Sequence, residues 1–138
     1  MSEAREILDR AIRLWNDHDN SRWMDLFSDD ATLTAPGFEG AGSEAVRMSY
    51  SLWQDAFPDC SARINSTYVD GDTVIQQGIF QGTQTGTFNA PERAPIDATN
   101  KKASVPFVNI CTVRNGKINS WALYFDRAEL VAQLGVGG

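Results

Sequence analysis

The stretch that decides the fold lies near the end of the chain and reads Asn115-Gly116-Lys117-Ile118-Asn119-Ser120-Trp121-Ala122-Leu123-Tyr124-Phe125. Asn-Gly is a strong signal for a two-residue hairpin turn, because both residues adopt positive φ at low cost. The residues on each side alternate between apolar and polar types, which predicts strands over residues 104–113 and 118–125. The C-terminal part of the chain is therefore predicted to contain an antiparallel β-hairpin.

Further strands are predicted upstream of this hairpin. Alternation over residues 62–68 predicts one strand and residues 73–80 the next, with Asp70-Gly71-Asp72 as the turn between them. A brief strand is predicted over residues 31–34. Residues 89–100 contain two prolines and no apolar period, so they are predicted to be a loop. The second half of the chain is thus predicted to be mainly sheet.

Three helices are predicted in the N-terminal half. Apolar residues recur at three- and four-residue steps over residues 4–15, which places them on one helical face. A short second helix is predicted to carry Trp23, Leu26 and Phe27 on its apolar side. A third helix is predicted to begin near Ser43, which is a favourable N-cap residue. Helices followed by antiparallel strands predict an α+β fold, with the helices packed on one face of a bent sheet.

Composition and charge narrow the classes of partner. A single domain is predicted over residues 1–138, and its 42% hydrophobic and 22% charged residues are ordinary for a globular protein. A net charge of −6 repels phosphate backbones, so nucleic acid is not expected as a partner. No apolar run approaches the roughly 20 residues of a membrane span, and residues 1–6 do not resemble a signal peptide. We therefore expect a cytoplasmic protein that does not bind membranes, with Cys60 and Cys111 as free buried thiols.

Six short motifs follow one another along the chain. They are Ala56-Phe57-Pro58-Asp59, Gly82-Thr83-Gln84-Thr85-Gly86, Ala98-Thr99-Asn100-Lys101-Lys102, Asn115-Gly116-Lys117-Ile118, Phe125-Asp126 and Gln133-Leu134-Gly135. Together they extend over much of the chain and resemble, in the same order, the motifs of the SnoaL-like polyketide cyclases. The family is part of the superfamily named after nuclear transport factor 2.

This resemblance implies a fold and an activity. Members of the family form a cone-shaped α+β barrel, in which three N-terminal helices pack on a curved, mostly antiparallel sheet. They are usually homodimers through the open face of the sheet, and a deep apolar pocket lies between the sheet and the helices. They typically use no metal and no cofactor for general acid/base chemistry on polyketide or other lipophilic carbonyl substrates. We therefore expect a homodimer that binds a hydrophobic small molecule without a metal or a cofactor.

The residues that carry this chemistry in the family are missing here. The cyclases resemble one another in pairing an acidic residue on the final strand with a histidine on the strand before it. Counting without gaps from the flanking motifs places these two positions at Leu123 and Asn109. Gln84 replaces a histidine often found in the family's Gly-Thr-x-Thr-Gly turn, and the base of the related ketosteroid isomerases would fall at Ala35. The usual proton-transfer mechanism is therefore not expected.

Two polar residues remain as candidates for catalysis. Asn109 has apolar neighbours on a predicted strand, where a buried amide requires a hydrogen-bond partner in either the ligand or the protein. Asp126 could act as an acid, but Asp126-Arg127-Ala128-Glu129 is also a capping-box pattern that opens a terminal helix. The single histidine, His18, is expected to be a solvated residue in a polar turn.

Aromatic residues at strand and helix spacings predict an apolar pocket. The residues predicted to bind the substrate are Trp15, Trp53, Gln76, Phe80, Phe107, Trp121, Leu123 and Tyr124. Gln76 and Tyr124 are included as hydrogen-bonding groups that would replace Asn109 if it had no role. Such aromatic stripes also form ordinary hydrophobic cores, and in a cone-shaped fold the core and the pocket wall largely coincide.

Two functions fit these observations. The first is a cofactor-free enzyme of the cyclase or isomerase type, which acts on a lipophilic polyketide-like substrate by orienting it. The second is a non-catalytic binding or carrier protein for a hydrophobic small molecule. The activity of the family favours the first function, and the missing acid favours the second.

Overall fold

The computed structural model describes residues 2–90 and 93–136. Its helices and strands, in chain order, are α1 (Glu3–Asn16), α2 (Asn20–Met24), β1 (Phe27–Ala35), β2 (Phe38–Ala41), α3 (Ser43–Ala56), β3 (Ser61–Asp70), β4 (Thr73–Thr83), β5 (Lys102–Arg114), β6 (Lys117–Phe125) and α4 (Arg127–Gln133). No helix in this part of the chain is long and apolar enough to cross a membrane.

The strands form one sheet in the order β2-β1-β6-β5-β4-β3. Neighbouring strands are antiparallel except β1 and β6, which are parallel. The predicted α+β fold with helices on a mostly antiparallel sheet is confirmed. The sheet of this cone-shaped fold is not a closed barrel, because β2 and β3 lie at opposite edges and do not pair with each other.

The C-terminal hairpin forms as predicted. Asn115 and Gly116 have φ values of 53° and 75°, the left-handed conformation that this type of two-residue turn requires. The antiparallel register of β5 and β6 places Asn109 directly opposite Leu123. The hairpin therefore brings together the two positions that the catalytic pair of the family would occupy.

The helices α1 and α3 pack against the sheet. The buried residues of α1 are Ala4, Ile7, Leu8 and Ala11, which are among those that the helical period predicts. The N-cap of α3 is Gly42, and the predicted N-cap, Ser43, is instead the first residue of the helix. Gly42 has a φ of 90°, a conformation that residues with a side chain rarely adopt, so the chain enters α3 through glycine.

The second helix is shorter than predicted. It ends before Leu26, and Phe27 is the first residue of β1. The ring of Phe27 still packs on Trp23, at a centroid distance of 4.6 Å, and the Ile118 N–H donates to the Leu26 carbonyl oxygen at 2.8 Å. Pairing with β6 thus overrides the helical spacing and begins β1 upstream of the predicted residues 31–34.

Two features at the edges of the sheet have no signal in the alternation pattern. β2 follows Pro36-Gly37 as the second strand of a short hairpin with β1. In β3 the pairing shifts between Ile64 and Ser66, because Asn65 is bulged. The bulge reverses which residues point to the helix-covered inner face, so Tyr68 lies on the opposite, outer face and is 58% exposed.

Two hydrophobic clusters form the core. The first includes Leu8 and Trp23 and lies beneath α1 and α2. The second includes Phe57 and Val105 and lies among α3, β5 and α4. Trp15, near the end of α1, packs against both clusters. The candidate site lies where the two clusters meet.

Candidate functional site

A cavity of about 90 Å³, which we call the inner cavity, lies between the two hydrophobic clusters. Its wall combines residues from the helices, the β1–β2 hairpin and the inner face of the sheet. The lining residues are Ile12, Trp15, Trp23, Leu33, Thr34, Ala35, Phe38, Ser49, Trp53, Ala62, Phe80, Val105, Phe107, Asn109, Trp121, Leu123, Phe125 and Leu130. Most of them are apolar, and many are aromatic.

Asn109 is the buried carboxamide of this wall, with 3% of its surface exposed. Its Oδ1 accepts a hydrogen bond from the indole Nε1 of Trp121 at 3.0 Å. Because an indole N–H can only donate, this bond fixes the carboxamide with Oδ1 toward Trp121. The Nδ2 group has no hydrogen-bond acceptor among residues 2–90 and 93–136, so it can donate to a ligand.

Leu123 faces Asn109 across the β5–β6 pair, and both line the inner cavity. In the arrangement that the family resemblance implies, a carboxylate and an imidazole would occupy these positions. This chain has an aliphatic side chain and a carboxamide there. The pair therefore offers a hydrogen-bond donor but no group that accepts a proton near neutral pH.

No ionisable side chain lines the inner cavity in the part of the chain that the structure describes. Besides Asn109 and the tryptophan indoles, its polar side chains are the hydroxyls of Thr34 and Ser49. Tyr50 lies behind the wall, and burial is the main factor that raises the pKa of its phenol. His18 is exposed, as predicted, and its Nε2 lies 3.1 Å from the Cys60 carbonyl oxygen. The polar groups of the wall are therefore suited to hydrogen bonding.

The two cysteines are free and buried, as predicted, and neither lines the inner cavity. Burial raises the pKa of the Cys60 thiol to about 12, with a smaller effect from the Asp59 carboxylate. Burial also raises the pKa of the Cys111 thiol. Both thiols stay protonated near neutral pH and are poor nucleophiles. Within residues 2–90 and 93–136, no three His, Cys, Asp or Glu side chains cluster as metal ligands.

Most of the residues predicted to form the site line the inner cavity. They are Trp15, Trp53, Phe80, Phe107, Asn109, Trp121 and Leu123. The helical period of α1 and α3 and the alternation of β4, β5 and β6 bring these side chains to one place.

Three of the predicted residues do not line the inner cavity. Gln76 is buried beneath α1, where its Nε2 donates to Asp9 Oδ1 at 3.2 Å. Tyr124 lies on the outer face and is 56% exposed, because alternation turns it away from its neighbour Leu123. Asp126 is the N-cap of α4 and accepts the Glu129 N–H at 3.1 Å, which confirms the capping interpretation. The placement of these three residues in the site is therefore corrected.

Several lining residues were absent from the predicted set. Ser49 stands three residues after Val46 and four before Trp53, so the helical period could have identified it. Phe38 comes from β2, a strand that the alternation pattern does not reveal. Leu130 comes from α4, and its place in the wall depends on how that helix returns to the sheet.

Gln84, which replaces the histidine of the family's turn, has a structural role. Its Nε2 lies 3.1, 3.0 and 3.2 Å from the carbonyl oxygens of Gly86, Ile96 and Asp97, respectively. Its Oε1 accepts the hydroxyl of Thr99 at 2.7 Å. The carboxamide therefore ties both ends of the loop between β4 and β5 together, outside the inner cavity.

Solved structures share this fold. A candidate SnoaL-like polyketide cyclase from Jannaschia sp. CCS1 is 16% identical and has a TM-score of 0.85 over 99% of this chain and 94% of that one. AclR, a candidate hydroxylase from Streptomyces galilaeus, is 20% identical with a TM-score of 0.83 over 100% and 88%. IdmH, a candidate polyketide cyclase from Streptomyces antibioticus, is 21% identical with a TM-score of 0.78 over 98% and 100%. At these identities the similarity establishes the fold alone.

The sequence itself carries the family relationship. No curated protein matches the chain. The family model described as SnoaL-like polyketide cyclase matches residues 5–134, which is nearly the whole chain. The chain therefore belongs to the SnoaL-like polyketide cyclase family.

Proposed function

We propose that this protein is a cofactor-free enzyme of the cyclase or isomerase type that acts on a lipophilic, polyketide-like carbonyl compound. The observation that carries the proposal is the oriented carboxamide of Asn109 in a cavity that is otherwise apolar and aromatic. Membership of the SnoaL-like polyketide cyclase family supports it. The cytoplasmic location and the independence from a cofactor remain predictions from the sequence.

The proposed role of Asn109 is to donate from Nδ2 to a substrate oxygen that gains negative charge. Ring closure or isomerisation beside a carbonyl group develops this charge as an enolate forms. A donor that is already oriented, here by Trp121, stabilises the charge without reorganisation during the reaction. The aromatic walls would hold a flat substrate in its reactive conformation, and such orientation lowers a barrier by several kcal/mol.

A specific observation favours a second candidate, a binding or carrier protein for a hydrophobic small molecule. The described wall of the inner cavity contains no carboxylate, imidazole or amine that could move a proton. The structural relatives include candidate cyclases and a candidate hydroxylase, so the fold does not choose the reaction. A carrier would use the same walls and the same donor without turnover.

The substitution Asn109→Leu distinguishes the two functions. Candidate aromatic polyketide intermediates are presented to both proteins, and product formation and ligand binding are measured separately. An enzyme loses about 10²–10³ in turnover, because one donor to the developing oxyanion is removed. A carrier has no turnover to lose, and its affinity falls by about 1–3 kcal/mol for a lost buried hydrogen bond. Turnover that survives unchanged in Asn109→Leu would exclude the proposed role.

The substitution Trp121→Phe is the matched control. It keeps an aromatic wall and leaves Asn109 in place, but removes the indole N–H that orients the carboxamide. We expect activity between that of the wild type and that of Asn109→Leu. An effect on folding alone would instead lower stability without changing turnover per folded molecule.

We also propose that the outer face of the sheet binds a second copy of the chain. The register places Tyr68, Ile75, Ile110 and Ala122 in one row across β3, β4, β5 and β6. Ile110 is 37% exposed, and Tyr124 beside this row is 56% exposed. A row of partly exposed apolar side chains of this kind can be buried at a protein–protein interface. An isologous dimer would bury it in both copies.

A further inference from the structure

An open groove at the surface, which we call the outer groove, adjoins the inner cavity. Its volume is about 430 Å³, and it lies among α3, α4 and the residues after β4. The cavity and the groove share a wall formed by Ala35, Phe38, Trp53, Phe125 and Leu130. Asn109 lines the cavity and not the groove, so a ligand held at Asn109 would reach the groove by passing this shared wall.

The size of the inner cavity requires such an extension. Sites for drug-sized ligands occupy about 300–1,000 Å³. The inner cavity, at about 90 Å³, is much smaller and takes only part of such a molecule. The adjoining outer groove, at about 430 Å³, has room for the rest of such a molecule.

The chemistry of the outer groove differs from that of the cavity. Its floor is apolar and includes Leu52, Phe88 and Val131. The two charged residues on its described lining are Arg93 and Arg127, and no acidic residue lines it. The chain as a whole has 18 acidic and 12 basic residues, so a lining with arginines alone departs from the general surface. The side chain of Arg93 has no hydrogen-bond or ion-pair partner within the described ranges.

From these observations we infer that the natural ligand is an elongated molecule with a terminal carboxylate. Its flat body would fill the inner cavity and accept a hydrogen bond from Asn109, and an apolar tail would lie in the outer groove. The carboxylate would bind at Arg93, because the planar guanidinium group matches its geometry. This inference rests on the proposed function in one respect, namely that the cavity binds a lipophilic carbonyl compound.

Three related fluorescent ketones test the inference. The parent is propionyl dimethylaminonaphthalene, a flat carbonyl compound whose emission shifts when it leaves water. The two derivatives carry a short alkyl chain on the amino end, opposite the carbonyl group, ending in a carboxylate or in its methyl ester. We expect the carboxylate to bind about three- to fivefold more tightly than the ester, as for an exposed ion pair. The difference should shrink at high salt, because salt screens exposed charges.

The substitution Arg93→Gln should abolish most of the preference for the carboxylate and leave binding of the parent and the ester unchanged. The matched control is Arg114→Gln, which removes the same charge from an exposed position that lines neither the cavity nor the groove. The substitution Ala132→Phe fills the groove from the exposed side of α4. It should weaken the binding of both tailed ketones and leave the binding of the parent unchanged.

The outcomes separate this inference from the proposed function. If the parent binds but the carboxylate and the ester bind equally, the anionic end of the ligand is refuted. If Ala132→Phe has no effect on the tailed ketones, the outer groove is not their site and the inference fails. If the parent does not bind at all, the proposed function is refuted, and the inference of an elongated ligand is refuted with it. If Arg114→Gln also loses the preference for the carboxylate, the effect of Arg93→Gln is not specific and the proposed site is refuted.

Discussion

The two faces of β4, β5 and β6 both carry large apolar side chains, but only the inner face is covered by helices. On the inner face, Leu123 and Phe107 are covered by helices and line the inner cavity. On the outer face, Tyr124 and Ile110 are 56% and 37% exposed. The alternation of the strands separates the two sets of residues, and the position of the helices decides which set forms a pocket.

The inner face also contains two buried polar side chains. On the inner face, Asn109 is held by Trp121, and Gln76 is held by Asp9 of α1. Each of these amides makes one specific hydrogen bond, and the Oε1 of Gln76 is buried without a partner among the described residues. One of them lies in the inner cavity and the other is covered by a helix, although both residues occupy paired positions on adjacent strands. Function at such positions depends on what the helices leave uncovered.

The largest expected effect is that of Leu123→Asp on the inner face. The substitution places a carboxylate in an apolar wall, and we expect the free energy of unfolding to fall by about 2–4 kcal/mol at neutral pH. Burial raises the pKa of the new carboxyl above its unfolded value of about 3.9. Stability should therefore fall as the pH rises from that value through the raised pKa, and recover at lower pH. Urea denaturation at several pH values measures this.

The neighbouring outer position provides the control. In Tyr124→Asp the carboxylate remains in water on the monomer, so we expect its pKa to stay close to that of an exposed aspartate. Its effect on stability should come through dimer formation and should depend on protein concentration. The effect of Leu123→Asp should not depend on concentration beyond that of the wild type. Equal, pH-independent effects at both positions would contradict the difference between the two faces.

The local patterns were sufficient for the elements that carry their own signal. Asn115-Gly116 specifies its turn by backbone preference, and the alternation after it correctly places Trp121, Leu123 and Phe125 on the inner face. The helical period places Trp15 correctly for the same reason. These signals are local, because each depends only on residues within one helix or hairpin.

The misplaced elements depend on partners that are distant in sequence. Phe27 follows a helical spacing but pairs with β6, and the bulge at Asn65 changes the phase of β3. Gln76 has the inward orientation expected from alternation, yet α1 covers it. The outer groove requires α3 and α4 to approach each other. None of these contacts has a local pattern, so the sequence alone could not predict them.

The second-largest expected effect is that of a charge placed on the outer face. In Ile110→Glu an isologous dimer would receive a charge from each copy, and we expect the dissociation constant to rise by about tenfold or more, or about 1.4 kcal/mol. Analytical ultracentrifugation and light scattering measure it. The matched control is Met48→Glu, since Met48 is 49% exposed on α3, away from the outer face. A wild-type protein that stays monomeric at high concentration would refute the proposed dimer.

The smallest expected effect concerns the thiols buried in the two hydrophobic clusters. Burial raises the pKa of Cys60 from 9.0 to about 12 and also raises that of Cys111, whereas no such burial exists in the unfolded chain. Their contribution to stability is thus fully present below pH 9 and is lost as the pH rises through the folded-state pKa values. We expect each thiol to lower the free energy of unfolding by about 0.4 kcal/mol at pH 9, relative to pH 7.

Denaturation at both pH values measures this loss, and Cys60→Ala and Cys111→Ala should each remove their own share of it. A thiol-specific reagent at pH 8 supplies an independent measure. Because neither thiol is ionised or accessible in the folded protein, reaction should be slow until denaturant is added. Rapid labelling of Cys111 in the native protein would mean that water reaches the inner face behind Asn109. The inner cavity would then lack the dry surroundings on which the proposed oxyanion donor depends.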